Sequence, residues 1–242
     1  MNAIEIRDLT KRYRDVIAVD SLSLTVNEGE LLSILGVNGA GKSTTIKMLC
    51  CLAKPSSGDA FLLGKSITKE SNEVKHFISI SPQETSIASG LSVKENLELV
   101  CAAHAFSRKK TDEKVKEISS RLGLGSVMTR RAGKLSGGWQ RRLSIAMALI
   151  SDPKILFLDE PTLGLDVIAR SDLWELIKGL KGKTTIILTT HYMQEAEYLS
   201  DRIAIMKEGK LLTCGTAEEI KQKSGTDSFE QAFIRTVKAV NE

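Results

Sequence analysis

The feature that most constrains the fold is an apolar run that leads directly into a glycine-rich loop. Residues 31–36 read LLSILG, and GVNGAGKST follows at 36–44. A run without polar alternation is typical of a strand that is buried on both faces of a parallel sheet. The loop fits GxxxxGK[ST] and opens a predicted helix from about Lys42 to Ala53. The sequence therefore predicts an α/β fold around a parallel sheet.

The glycine-rich loop has the composition of a phosphate cradle. Glycines permit unusual backbone angles and a close approach of phosphate, and the backbone N–H groups of such loops form a concave anion site. The lysine supplies a point charge to the β- and γ-phosphates, and the serine hydroxyl is a ligand for Mg²⁺. The loop residues predicted to bind ATP are Gly36, Asn38, Gly39, Ala40, Gly41, Lys42, Ser43 and Thr44, of which Lys42 is also a catalytic candidate and Ser43 a metal ligand.

A second apolar run, ILFLDE at 155–160, ends in two carboxylates. A buried parallel strand delivers such residues to the carboxyl edge of the sheet, where open α/β sheets bind ligands. We predict that Asp159 holds Mg²⁺ through water, and that Glu160 orients and deprotonates the attacking water. An aspartate at a strand end is commonly just a helix cap, so the metal role depends on the presence of the phosphate loop.

Three further residues are candidates for the same site, and each has an ordinary structural alternative. His191 ends the run TTIILTT and could contact the γ-phosphate, although a lone histidine at a strand end is usually structural. Gln83 ends a strand predicted at 76–83 and could contact Mg²⁺ or the attacking water. Tyr13, in a predicted early loop, could stack on adenine or be an ordinary half-buried tyrosine.

The composition argues against several classes of protein. The chain has 242 residues, of which 42% are hydrophobic and 26% charged, and its net charge of +4 is too small and dispersed to predict nucleic-acid binding. No apolar run approaches the ~20 residues that a membrane-spanning helix requires. The charged opening MNAIEIRDLTKRYRD lacks the apolar region of a signal peptide. The four cysteines have no metal-ligand spacing and are expected to be reduced thiols.

The predicted elements divide the chain into an α/β core and a helical insertion. Alternating apolar and polar residues at the start predict antiparallel strands. From about 84 to 150 the pattern is helical, and Ser92 with Glu95 predicts a capping box at one helix start. Strand–helix alternation then returns, a hairpin is predicted to turn at 208–209, and 228–240 could form a final amphipathic helix.

A second turn with free backbone N–H groups is predicted inside the helical insertion. KLSGGWQRR occupies 134–142, and Ser136-Gly137-Gly138 stands at a predicted helix start. The N–H groups at a helix N-terminus favour an anion. The chain therefore carries two candidate phosphate-binding turns.

Taken in order, these motifs resemble the nucleotide-binding subunits of ATP-binding cassette (ABC) transporters. The resemblance covers about residues 3–224 and runs through Tyr13, 36–44, Gln83, the signature 135–138, Asp159-Glu160, Leu165-Asp166 and His191. It implies an α/β P-loop NTPase with a RecA-like core, an N-terminal antiparallel β subdomain and an inserted α-helical subdomain. The implied boundaries are 1–83 and 151–224 for the core with its β subdomain, 84–150 for the helical signature subdomain and 225–242 for a C-terminal tail helix.

The resemblance also implies separate roles for the two turns. In the family, the signature of one protomer binds the γ-phosphate of ATP held by the phosphate loop of the other, so two chains dock head to tail around two ATPs. Ser136-Gly137-Gly138 is therefore expected to complete the partner's site, and Asp166 to lie at the dimer seam. Trp139 departs from the common Leu-Ser-Gly-Gly-Gln pattern, but binding is expected to survive because the contacts come from the serine and the backbone.

The function implied by the resemblance is an ATPase that powers transport. ATP binding would close a homodimer and hydrolysis would open it, and a separate polytopic membrane permease would convert this motion into transport. The chain would be cytoplasmic, peripheral on the cytoplasmic face of the cell membrane, with ATP and Mg²⁺ as cofactors and no nucleic acid as partner. Its overall look is closest to bacterial exporter ATPases of the drug, antibiotic-peptide or sodium type.

The main alternative is a soluble cassette ATPase that acts on nucleic acid or ribosomes. Such relatives carry long coiled coils, zinc modules or two cassettes in one chain, and none is evident in these 242 residues. A kinase or GTPase of another P-loop class would not explain the signature turn or His191. The transported substrate cannot be read from the sequence, since in the family the permease selects it.

Overall fold

Two β-sheets with packed helices form the fold in the computed structural model, which describes residues 2–239. The strands within these residues are β1 (Asn2–Tyr13), β2 (Val16–Asn27), β3 (Leu31–Leu35), β4 (Ser57–Leu62), β5 (Lys65–Ser66), β6 (Ile78–Ser81), β7 (Ile155–Asp159), β8 (Thr185–Thr190), β9 (Arg202–Lys207) and β10 (Lys210–Gly215). The α-helices in the same range are α1 (Lys42–Leu49), α2 (Ser71–Lys75), α3 (Val93–Ala103), α4 (Arg108–Arg121), α5 (Gly137–Leu149), α6 (Val167–Lys178), α7 (Met193–Leu199), α8 (Ala217–Lys223) and α9 (Phe229–Lys238).

The central sheet has the strand order β10-β9-β3-β8-β7-β6. Its strands are parallel from β9 to β6, and only β10 pairs antiparallel, through the hairpin predicted at 208–209. Strands β3, β7 and β8 are buried along their whole length, which confirms the reading of their continuous apolar runs. Because the carboxyl ends of parallel strands meet at one edge, the segments that follow β3, β6, β7 and β8 converge there.

The N-terminal part of the chain forms a separate antiparallel sheet with the order β2-β1-β4-β5. This confirms the prediction of antiparallel strands at the start of the chain. The sheet covers one face of the α/β core, and its inward residues join those of α1 in one hydrophobic core.

The described residues form three hydrophobic cores, and the central sheet separates the two largest. Along β7, Phe157 is buried in the core shared with the N-terminal sheet, whereas Leu156 and Leu158 are buried in the core shared with α3, α4 and α5. This follows from the alternation of side chains between the two faces of a strand. The β-rich part and the helical segment therefore lie on opposite faces, and the carboxyl edge of the sheet stays open between them.

The helical segment begins with the predicted capping box. The Ser92 hydroxyl accepts a hydrogen bond from the backbone N–H of Glu95, and the Glu95 carboxylate accepts one from the backbone N–H of Ser92. The side chains of Val115 and Ile118 on α4 are buried, as their spacing predicts. Gly123 follows α4 with φ +62°, in the left-handed conformation that commonly ends a helix.

Two elements are shorter than the sequence predicts. Helix α1 ends at Leu49 rather than near Ala53, because Cys51 has φ 56° and a helix cannot continue through a left-handed residue. Strand β6 ends before Pro82, which has no N–H to donate to a neighbouring strand. The predicted tail helix is present as α9, and its last predicted residues, 240–242, lie outside the described range.

In the part of the chain that the structure describes, no helix is both long and apolar enough to cross a bilayer.

Candidate nucleotide-binding site

A cleft of about 730 Å³ opens at the carboxyl edge of the central sheet. Its walls are Val16, Ile17, Ala18, Asn38, Gly39, Ala40, Gly41, Lys42, Ser43, Thr44, Gln83, Glu160, Leu163, His191 and Glu208. The fold thus brings together most of the glycine-rich loop with the residues that follow β6, β7 and β8. Among the described residues, the predicted site members outside this wall are Tyr13, Gly36, Asp159, Ser136, Gly137, Gly138 and Asp166.

The glycine-rich loop adopts a backbone that side chains would disturb. Gly41 has φ +99°, and a Cβ there would lie 2.4 Å from the carbonyl oxygen of Ala18. A Cβ on Gly36 would lie 2.4 Å from the carbonyl oxygen of Met206. These positions require glycine, and they pack the loop between β2 and the β9–β10 hairpin.

Lys42 is the cation of the cleft and is held from within the loop. Its side chain is 5% exposed, and Nζ donates to the carbonyl oxygens of Gly36 at 2.8 Å and Val37 at 3.2 Å. The same Nζ lies 3.4 Å from Oε1 of Glu160. A buried ammonium in this position can exchange the carboxylate for a phosphate oxygen without moving into water.

Oxygen donors suited to a magnesium ion lie beside the loop. Ser43 Oγ donates to Oδ1 of Asp159 at 3.1 Å, and the Thr189 hydroxyl donates to the same oxygen. Asp159 is 5% exposed and lies behind the cleft wall. Hydroxyl and carboxylate oxygens, with the Gln83 side chain on the wall, are the donors that Mg²⁺ prefers. This donor set fits the predicted metal.

Glu160 is aimed into the cleft by a strained backbone. Its φ is 47°, a conformation that costs a non-glycine residue of order 1–3 kcal/mol and that clusters at functional sites. Its N–H donates to both the carbonyl oxygen and the hydroxyl of Thr189, at 3.1 Å each, which holds the turn. Oε2 lies 3.1 Å from Nδ1 of His191, so His191 contacts the carboxylate as well as facing the cleft.

Arg141 contacts the loop that carries Gln83, a role that the sequence did not indicate. It lies on α5, is 5% exposed, and donates to the carbonyl oxygens of Pro82 at 2.7 Å and Gln83 at 2.6 Å. Burial lowers the pKa of its guanidinium, and the nearby carboxylates oppose this shift. This clamp connects the helix of the signature turn to the loop that carries Gln83.

The signature turn lies in a different place from the cleft. Ser136 is the N-cap of α5, is exposed, and its side chain makes no capping hydrogen bond. Ser136, Gly138 and Trp139 line a hollow of about 100 Å³ with residues of α6. A Cβ on Gly138 would lie 3.0 Å from that of Ala169, so the small residue permits close packing of α5 on α6.

Asp166 and Tyr13 also lie outside the cleft wall. Asp166 is exposed at the N-cap of α6, where it accepts a hydrogen bond from the N–H of Ala169 at 2.9 Å. Tyr13 ends β1, paired with Val16, so its placement in a loop was wrong. Strands β1 and β2 pair as far as the turn between them, and the alternation of apolar and polar residues does not by itself predict where that pairing ends. Its ring is 47% exposed, with Lys11 Nζ at 4.9 Å from its centre.

Comparison with known proteins places this geometry in a family. Residues 19–163 match the model of the ABC transporter family. The chain is 38% identical over 240 residues to the probable multidrug ABC transporter ATP-binding protein YbhF of Escherichia coli (strain K12), an alignment that covers 97% of this chain and 41% of YbhF. It is 41% identical over 226 residues to the daunorubicin/doxorubicin resistance ATP-binding protein DrrA of Streptomyces peucetius, covering 93% of this chain and 68% of DrrA.

A solved structure shows the same architecture. The dimeric ATP-binding cassette MJ0796, bound to ADP and Pi in a post-hydrolysis state, matches with a TM-score of 0.79 at 27% identity, over 88% of this chain and 98% of that one. The fold is thus the predicted α/β P-loop NTPase, with an antiparallel β subdomain and inserted helices. The chain belongs to the ABC transporter family, and it is an ATPase cassette of that family.

Proposed function

We propose that the cleft binds ATP with Mg²⁺ and that Glu160 acts as the base for its hydrolysis. The observation that carries this proposal is the contact of Glu160 with Lys42 at 3.4 Å and with His191 at 3.1 Å, inside one cleft. A phosphate in the loop would draw the Lys42 ammonium to itself. Glu160 would then be free to accept a proton from water, while His191 holds the carboxylate and contacts the γ-phosphate.

Ser43 and Asp159 are the side chains proposed to hold the metal, Asp159 through water. When bound, Mg²⁺ neutralises charge on the β- and γ-phosphate oxygens. Gln83 on the cleft wall would contact the metal or the attacking water, and the Arg141 clamp fixes the backbone from which Gln83 extends. The loop residues from Asn38 to Thr44 would hold the phosphates. Tyr13 remains our candidate for stacking on adenine, since Val16 and Ile17 beside it line the cleft.

The signature turn is proposed to serve a second copy of the chain. Within one chain it shares no wall residue with the cleft, and its serine hydroxyl is left free by the absence of a capping bond. Two copies docked head to tail would place Ser136-Gly137-Gly138 on the γ-phosphate of the partner's ATP, with Asp166 at the seam. The dimeric ATP-binding cassette that matches this fold supports this arrangement.

We further propose that the dimer powers a separate polytopic membrane permease, most simply an exporter, at the cytoplasmic face of the cell membrane. The drug-resistance and multidrug descriptions of DrrA and YbhF support the direction. This chain spans 41% of the length of YbhF, so partners and substrate are not carried over from it. The alternative, a soluble cassette ATPase on nucleic acid or ribosomes, has no support among the relatives described above.

The test is an affinity purification of tagged Glu160→Gln protein from gently solubilised host membranes, with ATP and Mg²⁺. The substitution should trap the closed dimer and any partner that depends on it. Recovery of a polytopic membrane protein would support the transporter assignment and identify the permease. The matched control is Glu28→Gln, the same change on an exposed turn outside the cleft, which should trap less dimer. A trapped dimer found only in the soluble fraction, with nucleic acid or ribosomes, would overturn the assignment.

A further inference from the structure

Glu195 is a buried carboxylate that the hydrolysis scheme above does not use. It lies in the first turn of α7, shortly after His191, and is 0% exposed. Its Oε1 accepts hydrogen bonds from the hydroxyl of Thr162 at 2.7 Å and the indole N–H of Trp174 at 2.9 Å. Its Oε2 is buried without a hydrogen-bond partner. Burial raises the pKa of this carboxyl, and the side chains of Thr190, Thr162 and Trp174 oppose the rise more than the charge of Arg170 does.

Arg170 on α6 carries the complementary unpaired atom. Its Nη2 donates to the carbonyl oxygen of Leu165 at 3.3 Å, and its guanidinium lies 4.5 Å from the ring centre of Tyr192. Its Nε is buried without a partner. Within residues 2–239, this donor and Oε2 of Glu195 are the two buried side-chain polar atoms left unsatisfied, and they belong to groups of opposite charge. Leaving such an atom buried and unpaired is unfavourable.

The two side chains connect the segments that carry the catalytic candidates. Glu195 holds Thr162 in the turn that follows Glu160. Arg170 holds the carbonyl of Leu165 at the other end of that turn. Arg170 also stacks on Tyr192, whose ring lies 4.1 Å from that of His191. Neither Glu195 nor Arg170 lines the cleft, so both act on it through these neighbours.

We propose that Arg170 and Glu195 are positioning residues for ATP hydrolysis, and that Nε of Arg170 pairs with Oε2 of Glu195 when the cleft closes around ATP. The pair would satisfy both unpaired atoms and fix the turn from Glu160 to Asp166 against His191. A hydrogen bond between charged groups in a site of low dielectric is electrostatically stronger than one in water, so forming the pair would favour the closed arrangement. This inference rests on the proposed role of Glu160 in hydrolysis.

The test is a double-mutant cycle on the whole chain, with kcat and KM for ATP as readouts and the melting temperature as a check of folding. Glu195→Gln keeps an oxygen for Thr162 and Trp174 but removes the charge, and Arg170→Met keeps the apolar stem. Each change should lower kcat about tenfold, a loss of ~1.4 kcal/mol in transition-state stabilisation, with KM within about twofold. The double variant should be no slower than either single variant, because both remove the same contact.

Two further variants keep the proposal falsifiable. Arg170→Lys retains the charge and should lose less kcat than Arg170→Met, and it replaces that variant if the latter fails to fold. Glu197→Gln makes the same change on the exposed face of α7 and should leave kcat unaltered. Multiplicative losses in the double variant, or an unaltered kcat in Glu195→Gln, would overturn the pair. An unmodified chain that hydrolyses no ATP would instead overturn the hydrolytic role of the cleft, on which the pair depends.

Discussion

The glycine-rich loop and the signature turn have similar compositions but lie in different surroundings in the fold. At the start of α1, the glycine-rich loop lies between two elements of the core, and its lysine is buried in a cleft of about 730 Å³. At the start of α5, the signature turn lies in a hollow of about 100 Å³, with an exposed N-cap serine. The arginine of that hollow, Arg142, lies over the ring of Trp139 at 4.9 Å.

This difference in surroundings explains how two similar turns can have different functions. The first turn combines a glycine-rich backbone, a buried cation and a carboxylate pair, the groups that we propose hold one ATP within one chain. The second offers N–H groups and a hydroxyl, with its arginine already engaged by an aromatic ring. It can add contacts to a phosphate that is held elsewhere, and in the proposed dimer that phosphate is held by the partner. Substitutions in the first turn should therefore impair ATP binding or hydrolysis, whereas substitutions in the second should impair the ATP-dependent dimer.

The largest expected effect is at Glu160, in the cleft of the first turn. Glu160→Gln should slow hydrolysis some 10²–10⁴-fold, because the amide cannot accept the proton of the attacking water. ATP binding should persist, and an ATP-bound dimer should accumulate on gel filtration. Phosphate release measures the rate, and Glu28→Gln should behave as the unmodified chain. Near-normal turnover would remove Glu160 from the role of base.

Lys42→Ala should weaken ATP binding to the monomer by about 10- to 100-fold. The change removes a hydrogen bond between charged groups, which contributes about 1.5–3 kcal/mol. Equilibrium dialysis with labelled ATP at protein concentrations below dimer formation measures this affinity. Unchanged affinity would mean that the loop backbone alone holds the phosphates.

Ser136→Arg should give the opposite pattern to Lys42→Ala. Monomer affinity for ATP should be unaltered, because the signature turn lies outside the cleft. The ATP-dependent dimer should weaken about 5- to 150-fold, since a larger group in a close contact costs about 1–3 kcal/mol. Gel filtration in the Glu160→Gln background measures the dimer. Loss of ATP binding by the monomer would contradict the assignment of the two turns to two different ATPs.

Local sequence pattern was sufficient to predict the first turn and its neighbours. The apolar runs of β3, β7 and β8 identify buried parallel strands, and the geometry of such strands brings Lys42, Glu160 and His191 to one edge. No contact between distant segments had to be known. The capping box at Ser92 was predictable for the same reason, because its partner lies three residues away.

What the sequence could not predict depends on contacts between distant segments. The clamp of Arg141 on the Gln83 loop joins residues that lie 58 positions apart, and no local pattern marks it. The same holds for Glu195, whose bond to Thr162 depends on how α7 packs beside the turn after β7. The prediction that Tyr13 lies in a loop was wrong for a related reason. Tyr13 pairs with Val16 of β2, and this pairing extends β1 as far as Tyr13.

The requirement for glycine in the first turn can be tested by measuring the free energy of unfolding. Gly41→Ala should lower the free energy of unfolding by about 3 kcal/mol, since the new Cβ would add overpacking to a strained φ. That Cβ would lie 2.4 Å from the carbonyl oxygen of Ala18. Gly39→Ala is the matched control, because φ is +82° there but nothing lies within 4 Å. That change should lower stability by about 1 kcal/mol. Urea denaturation measures both, and equal losses would show that strain rather than the close approach sets the requirement.

The smallest effects distinguish two serines that both precede helices. Ser92→Ala removes a capping bond and should lower the free energy of unfolding by about 1 kcal/mol. Ser136 is exposed and makes no such bond, so Ser136→Ala should change that free energy by less than about 0.5 kcal/mol. The ATP-dependent dimer should nevertheless weaken in Ser136→Ala and stay intact in Ser92→Ala. If Ser136→Ala instead destabilised the monomer as much as Ser92→Ala, its hydroxyl would be serving its own helix, and the signature turn would have no spare donor for a partner's phosphate.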